Sequence, residues 1–270
     1  MVEKMTTLCK KLFGFWKKQK PFVRFYSVEP GVVELFPIVQ SSTIKRKFTS
    51  IPTVEGELSV KTCPGIRKVI STGWIVTAPA DFIINPSEDG LRFDWLEPWR
   101  FGTSAPTLKG PSYIADHGPD QVIPLIGDDP RTLKSVVKVQ TPWRVETSDD
   151  ILLLQIPVTY NNEYRFSSAT GFLDTRYGYN INVQLFWHAT DKEVLVKAGT
   201  PLCQFIPISR KHLSTNAYDV IIEDATDLDI KKEKAFVYAS NCVILKHDKL
   251  SSRLDRAMKI LTNYSKKEKL

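Results

Sequence analysis

The stretch from Gly171 to Pro207, GFLDTRYGYNINVQLFWHATDKEVLVKAGTPLCQFIP, constrains the fold more than any other part of this chain. From Asn180 onward it alternates. Ile181, Val183, Leu185 and Trp187 share one face; Asn182, Gln184, Phe186 and His188 share the other. A period of two predicts a strand with one buried face and one wet or interface face. Ala189 to Lys192 reads as a hairpin connection, with Val194 and Val196 beginning the return strand. Lys197 to Pro201 predicts a tight turn in which Gly199 takes positive φ, and Leu202 to Ile206 a last strand. Gly171 is expected to open a turn containing Asp174. These strands are expected at the centre of a β-core.

The preceding chain has the same texture. Phe22 to Tyr26 predicts a first strand, and Val32 to Val39 a second extended piece broken by Pro37. Residues 41–62, rich in Thr, Ser and Lys, read as a surface excursion. Cys63-Pro64-Gly65 opens a short helix, followed by strands over Ser71 to Pro79 and Asp81 to Asn85. Pro86 to Gly90 is a turn by composition, and Leu91 to Trp95 should return antiparallel. Residues 96–135 are loop-like, because their prolines and glycines oppose long regular elements. A loop of that length is often functional, and Asp116 and His117 in it are a candidate site. Val136 to Gln140 resumes a strand, and Thr141-Pro142 begins a turn-rich step. Ile151 to Ile156 predicts a buried strand, and the following stretch with Tyr160, Tyr164 and Phe166 a half-exposed strand or binding edge.

The ends differ from the middle. Residues 1–20 form a basic segment with Leu8, Leu12, Phe15 and Trp16 near helical spacing. Val220 to Asp224 suggests a short strand. Ala235 to Leu245 suits either strand or helix. From Lys249, Leu250, Leu254, Met258 and Leu261 predict an amphipathic helix with Arg253, Arg256 and Lys259 outward. The expected division is a basic segment at 1–20, a β domain at 21–245, and a helix with basic tail at 246–270.

Composition narrows the function. The chain has 270 residues and a net charge of +7, which suits an anionic partner. Cys9, Cys63, Cys203 and Cys242 form no CxxC, and His117, His188, His212 and His247 show no ligand spacing. Reduced thiols and no metal are expected from that pattern. No apolar run reaches the roughly 20 residues of a membrane span, and no secretory signal is evident. An oxygenase would need His-x-Asp with a distal His, whereas Asp116-His117 is reversed.

Two resemblances follow from these residues. Gly171, Asp174, Tyr177, Val183 to Phe186, Gly199, Gln204 and Ile206 resemble the third motif, and following strands, of the trimeric dUTPase and dCTP deaminase superfamily. The resemblance implies a mainly β fold: a dUTPase-like β-clip or barrel core, here with long loops and a C-terminal amphipathic helix. It implies that Asp174 activates water and Tyr177 contacts a deoxynucleotide sugar, with Mg²⁺ if such a ligand is bound. Trp187 and Thr200 replace that family's Asn and Asp. No P-R-S-G motif and no Gly-rich C-terminal arm occur; Arg165-Phe166-Ser167-Ser168 only echoes the phosphate motif, making Arg165 and Ser167 the candidate nucleotide contacts.

The second resemblance covers most of residues 61–211. Lys61 to Gly65, Ser71 to Val76, His117-Gly118, Gly171 to Thr175 and Gly199 to Pro207 are similar to a family of marine and cyanobacterial tailed-phage proteins. It implies a phage origin, in the host cytoplasm or the virion and not secreted. The two readings that follow are a virion-associated, assembly or host-interaction module without hydrolase activity, and a deoxynucleotide-binding or hydrolysing protein. Expected partners are a second copy of the chain, up to a trimer, a phage or host protein, and nucleic acid through the basic tails.

Overall fold

A computed structural model describes residues 20–52, 60–97, 112–127, 129–241 and 250–267. The basic segment at 1–19, Cys9, Cys242 and residues 98–111 of the long loop lie outside the described residues. The chain divides into two compact units, Met1–Ala217 and Tyr218–Leu270.

The first unit is mainly β, in three antiparallel sheets. The first sheet has β1 (Val23–Ser27), β7 (Val136–Thr147), β11 (Asn180–Trp187) and β9 (Phe166–Ser168) in that order, with β6 (Ile114–His117) also on β7. The second runs β10 (Gly171–Leu173), β8 (Ile151–Ile156), β13 (Pro201–Ser209), β3 (Trp74–Thr77), β2 (Val39–Gln40). The third is β12 (Val194–Val196), β4 (Phe82–Pro86), β5 (Phe93–Leu96). All three contribute to one apolar core.

β11 explains why the core closes where it does. Ile181, Val183, Leu185 and Trp187 are fully buried, as the alternation predicts. The Trp187 ring stacks on Phe166 of β9 with centroids 5.6 Å apart, and its Nε1 donates to the Ala189 carbonyl at 3.1 Å. The expected hairpin to the next strand does not form. Both edges of β11 are already paired, by β7 and β9, so the chain crosses to the third sheet and β12 pairs with β4. β13 is likewise central, between β8 and β3. Gly199 has φ +81° in the turn between β12 and β13.

Several other expectations change. Val32–Leu35 is one helical turn, α1, rather than a strand, entered through Gly31 at φ +81°. The excursion after β2 holds another turn, α2 (Lys47–Ser50), and the expected short helix is α3 (Pro64–Ile70). The loop at 96–135 contains β6 and the eight-residue α4 (Pro119–Ile126), whose Pro119 needs no intrahelical donor at that position. β7 runs straight through Thr141-Pro142. Its register with β11 shifts between Asn180 and Asn182, so Pro142 sits in an irregularity where no ladder N–H is demanded. Gly171 lies in a strand, β10, not in the turn itself.

In the second unit, Val220 to Asp224 is not a strand. α5 (Asp227–Asn241) starts on a reciprocal cap: the Asp229 amide donates to Thr226 Oγ1, while Thr226 N and Oγ1 donate to Asp229 Oδ2. It packs on α6 (Leu250–Lys267) through Ala235, Ala239 and Ala257, small residues that let helices approach closely, with Met258 packed against them. Arg253 is not turned outward; its Nη2 donates to the Ala239 carbonyl at 3.2 Å.

Candidate functional site

The connection from β10 to β11 is a tight turn, Asp174 to Gly178. The amides of Tyr177 and Gly178 both donate to the Asp174 carbonyl, at 3.0 and 3.2 Å. The Asp174 carboxylate is crowded with donors. Oδ1 accepts from the Arg176 amide (3.1 Å), Arg176 Nε (3.2 Å) and Arg210 Nη2 (2.9 Å). Oδ2 accepts from Arg176 Nη2 (2.9 Å) and Arg210 Nη1 (2.7 Å). The bonds from Arg210, then those from Arg176, hold this carboxyl far below the usual carboxylate range. A general base must be able to take a proton near the working pH, and a group whose lone pairs are all engaged is poorly suited to that.

Arg210 also reaches the carbonyls of Asp149 and Asp150, through its Nε (3.2 Å) and amide (2.6 Å). The Asp174 carboxylate therefore clamps the end of β10 to the start of β8 and the end of β13. Tyr177 makes no hydrogen bond to the Asp174 carboxylate and packs on the outside of the clamp against Arg176. It is 87% exposed, with the Arg176 guanidinium 5.5 Å from its ring centroid.

Arg165 and Ser167 are engaged elsewhere. Arg165 Nε and Nη2 grip Glu163 at 2.8 and 2.6 Å, and Nη1 donates to the Leu195 carbonyl of β12. Burial alone would raise the Glu163 carboxyl, but the Arg165 bonds outweigh it and the net direction is down. Ser167 Oγ lies 2.9 Å from His188 Nε2, and His188 Nδ1 lies 3.1 Å from Thr132 Oγ1. Thr132 Oγ1 donates to Asp129 Oδ2 at 3.2 Å. A carboxylate only accepts, so Thr132 must accept from Nδ1–H, and Nε2 is left to accept from Ser167. Burial lowers the His188 pKa and keeps the ring neutral. Chemically this is a base resting on a hydroxyl. Ser167 is a candidate from the sequence; His188, Thr132 and Asp129 carry no local signal that would join them to it. No hydrogen bond or ion pair among the described residues links Arg165 or Ser167 to Asp174 or Tyr177.

Asp116 and His117 are neighbours on β6, so their side chains leave opposite faces. His117 Nδ1 is 3.0 Å from Gln121 Oε1 one turn into α4, which fixes the ring.

A cleft of about 370 Å³ flanks the Asp174 turn, with Leu173 and Asn180 among its lining residues. Its other polar lining residues are Gln155, Thr170, Asn182 and Gln184, and no charged side chain lines it. Asn182 and Gln184 belong to the wet face of β11 expected from the alternation, and Asn180 stands at the start of that strand; the three side-chain amides have no hydrogen-bond partner among the described residues. No cluster of three or more His, Cys, Asp or Glu among the described residues is arranged to hold a metal ion.

Neither a scan against protein-family models nor a search of curated proteins returns a match for this chain. The fold defines a mainly β protein of antiparallel sheets. No helix among the described residues is long and apolar enough to cross a membrane.

Proposed function

We propose that this chain is a phage-encoded, non-hydrolytic β-platform, acting as a virion-associated, assembly or host-interaction module on a dUTPase-like core. The observation that carries this reading is the Asp174 carboxylate, held by five hydrogen bonds from Arg176 and Arg210. A residue with that many donors serves the turn. The exposed aromatics of the same region support a docking role: Tyr164, Phe172, Tyr177 and Tyr179 all face solvent, and aromatic side chains dominate protein-recognition surfaces. The partner is a phage or host protein, or further copies of the chain. The test is twofold. Purified protein is incubated with each deoxynucleoside triphosphate and Mg²⁺, and pyrophosphate and ammonia are assayed; purified virions are searched for the chain by mass spectrometry. Turnover of any nucleotide sinks the proposal, and presence in virions supports it.

One observation favours a second reading, deoxynucleotide binding without Asp174 chemistry. The free amides of Asn180, Asn182 and Gln184 offer donor and acceptor pairs to a base edge, with Phe172 in the same lining. A nucleotide-dependent thermal shift lost in Asn182→Ala, with no turnover, would select it.

A further inference from the structure

A second cleft, of about 310 Å³, lies between the segment after β2 and the C-terminal end of α3. Its cationic walls are Lys45, Arg46 and Arg67, and no acidic side chain lines it among the described residues. Arg46 is 2% exposed. Its Nε donates to the Thr159 carbonyl at 2.9 Å, Nη1 to the carbonyls of Ile44 (2.9 Å) and Ser41 (3.4 Å), and Nη2 to Ser41 Oγ at 3.2 Å. One N–H of the guanidinium fork is left over. Every partner is neutral. A buried cation ordinarily keeps a carboxylate beside it, because carbonyl dipoles replace hydration only in part.

The other groups in the cleft point the same way. Lys45 and Arg67 are exposed, and their side chains have no hydrogen-bond or ion-pair partner among the described residues. Thr43, Thr49 and Ser71 donate their hydroxyl protons to the carbonyls of Gln40, Arg46 and Lys68. The available donors are therefore cationic, together with the hydroxyl of Ser42. Ile44 and Ile70 supply an apolar part of the lining, and nothing in it suits a cation.

We infer that this cleft binds the phosphate group of a small phosphorylated ligand, held by Lys45 and Arg67 over the buried charge of Arg46. The site is independent of the Asp174 turn, and no step of the proposed platform role requires it. Lys and Arg together provide the point charge and the planar fork that phosphate oxygens accept.

The test uses the full chain. Inorganic phosphate and pyrophosphate are titrated by calorimetry and thermal shift, against potassium chloride at matched ionic strength. One saturable site is expected, with Lys45→Gln and Arg67→Gln each weakening it about tenfold while Lys192→Gln, outside the cleft, leaves it unchanged. Both cleft positions are exposed, so folding is not at risk. Absence of saturable binding above the chloride control overturns the inference, as does binding unaffected by the double variant. A deoxynucleoside monophosphate and a short single-stranded DNA are then compared as competitors. Displacement of pyrophosphate by the monophosphate supports a small-ligand site. If only the DNA binds, steeply salt-dependent and indifferent to both substitutions, the charge serves a nucleic-acid surface elsewhere and the inference fails.

Discussion

Replacing Gln204 by Met tests how the first unit is joined. Gln204 lies in central strand β13 and is wholly buried. Its Nε2 donates to the carbonyls of Val69 (2.9 Å) and Thr72 (2.8 Å), which close the end of α3. Its Oε1 accepts from Thr159 Oγ1 at 3.1 Å, and the Thr159 carbonyl in turn holds Arg46. Met fills nearly the same volume, so the change removes hydrogen bonding with little cavity. The Val69 carbonyl keeps a partner in the Thr72 amide, at 3.3 Å. The Thr72 carbonyl, the Thr159 hydroxyl and the Thr159 amide (3.5 Å) lose theirs; a fully buried polar group left unpaired costs about 1–3 kcal/mol, and these half-buried ones fall at the low end of that range. The expected loss is about 3 kcal/mol, or roughly 6–12 °C in Tm for a unit of this size. Urea unfolding followed by circular dichroism measures it. Gln155→Met is the comparison, since Gln155 Nε2 makes a single bond to the Ala169 carbonyl at 2.9 Å and lines the open cleft. Gln204→Glu adds a sign test. A carboxylate there would face two carbonyl oxygens, so its folded pKa is raised. The variant should be most stable below the unfolded Glu value of about 4.3 and lose stability as pH rises through the folded pKa. A loss below about 1 kcal/mol for Gln204→Met, or no greater loss than for Gln155→Met, would refute the reasoning.

Three further predictions concern Gly73, the Arg210–Asp174 pair and His188. Gly73 has φ +78°, and an added Cβ would stand 1.9 Å from the Phe205 carbonyl oxygen, so Gly73→Ala should cost about 3 kcal/mol or more by chemical denaturation; an unchanged midpoint would mean that β3 and β13 are not so closely joined. Arg210→Gln and Asp174→Asn should each destabilise by about 1–2 kcal/mol and be non-additive in a double-mutant cycle; a catalytic Asp174 would predict instead that Asp174→Asn leaves stability unchanged or raised. His188 has its folded pKa below the unfolded value of about 6.5. Its contribution is therefore complete above that value and declines as pH falls from there to the folded pKa, a slope that His188→Gln should remove from the stability–pH profile; persistence of the slope would place it on another group.

The strands with strict alternation or a continuous apolar run were legible from sequence because burial on a sheet face imposes that pattern directly. β11 and β8 are the clear cases. Pairing was not legible in the same way. The chain following β11 has the composition of a hairpin, yet edge availability, a property of the whole sheet, sends β12 to β4. Pro142 misled for a related reason: proline excludes a regular ladder position, and the structure answers with an irregularity rather than a break. Val32–Leu35 reads as extended because it opens on two β-branched valines, but four residues carry too little periodic signal to separate a strand from one helical turn.

The candidate residues divide along the same line. A motif records which side chains stand in a turn, and Asp174 and Tyr177 do stand in one. Whether an aspartate acts on water or holds the backbone depends on what comes to it from elsewhere, and here that is Arg210, beyond the end of β13. The arginine neutralises the carboxylate, and the same bonds anchor two strand ends, so the turn can keep its sequence for reasons of stability alone. Gln204 follows the same logic: it belongs to the resemblance, yet all its bonds are to the chain itself. By joining the end of α3 to Thr159, and through it to Arg46, Gln204 also braces both walls of the cationic cleft. Loosening that brace should therefore weaken pyrophosphate binding as well as folding. In Gln204→Met, studied well below its melting temperature, affinity should fall although no cleft residue has changed; an unchanged affinity would mean that the cleft is held by its own loop bonds and not by the core.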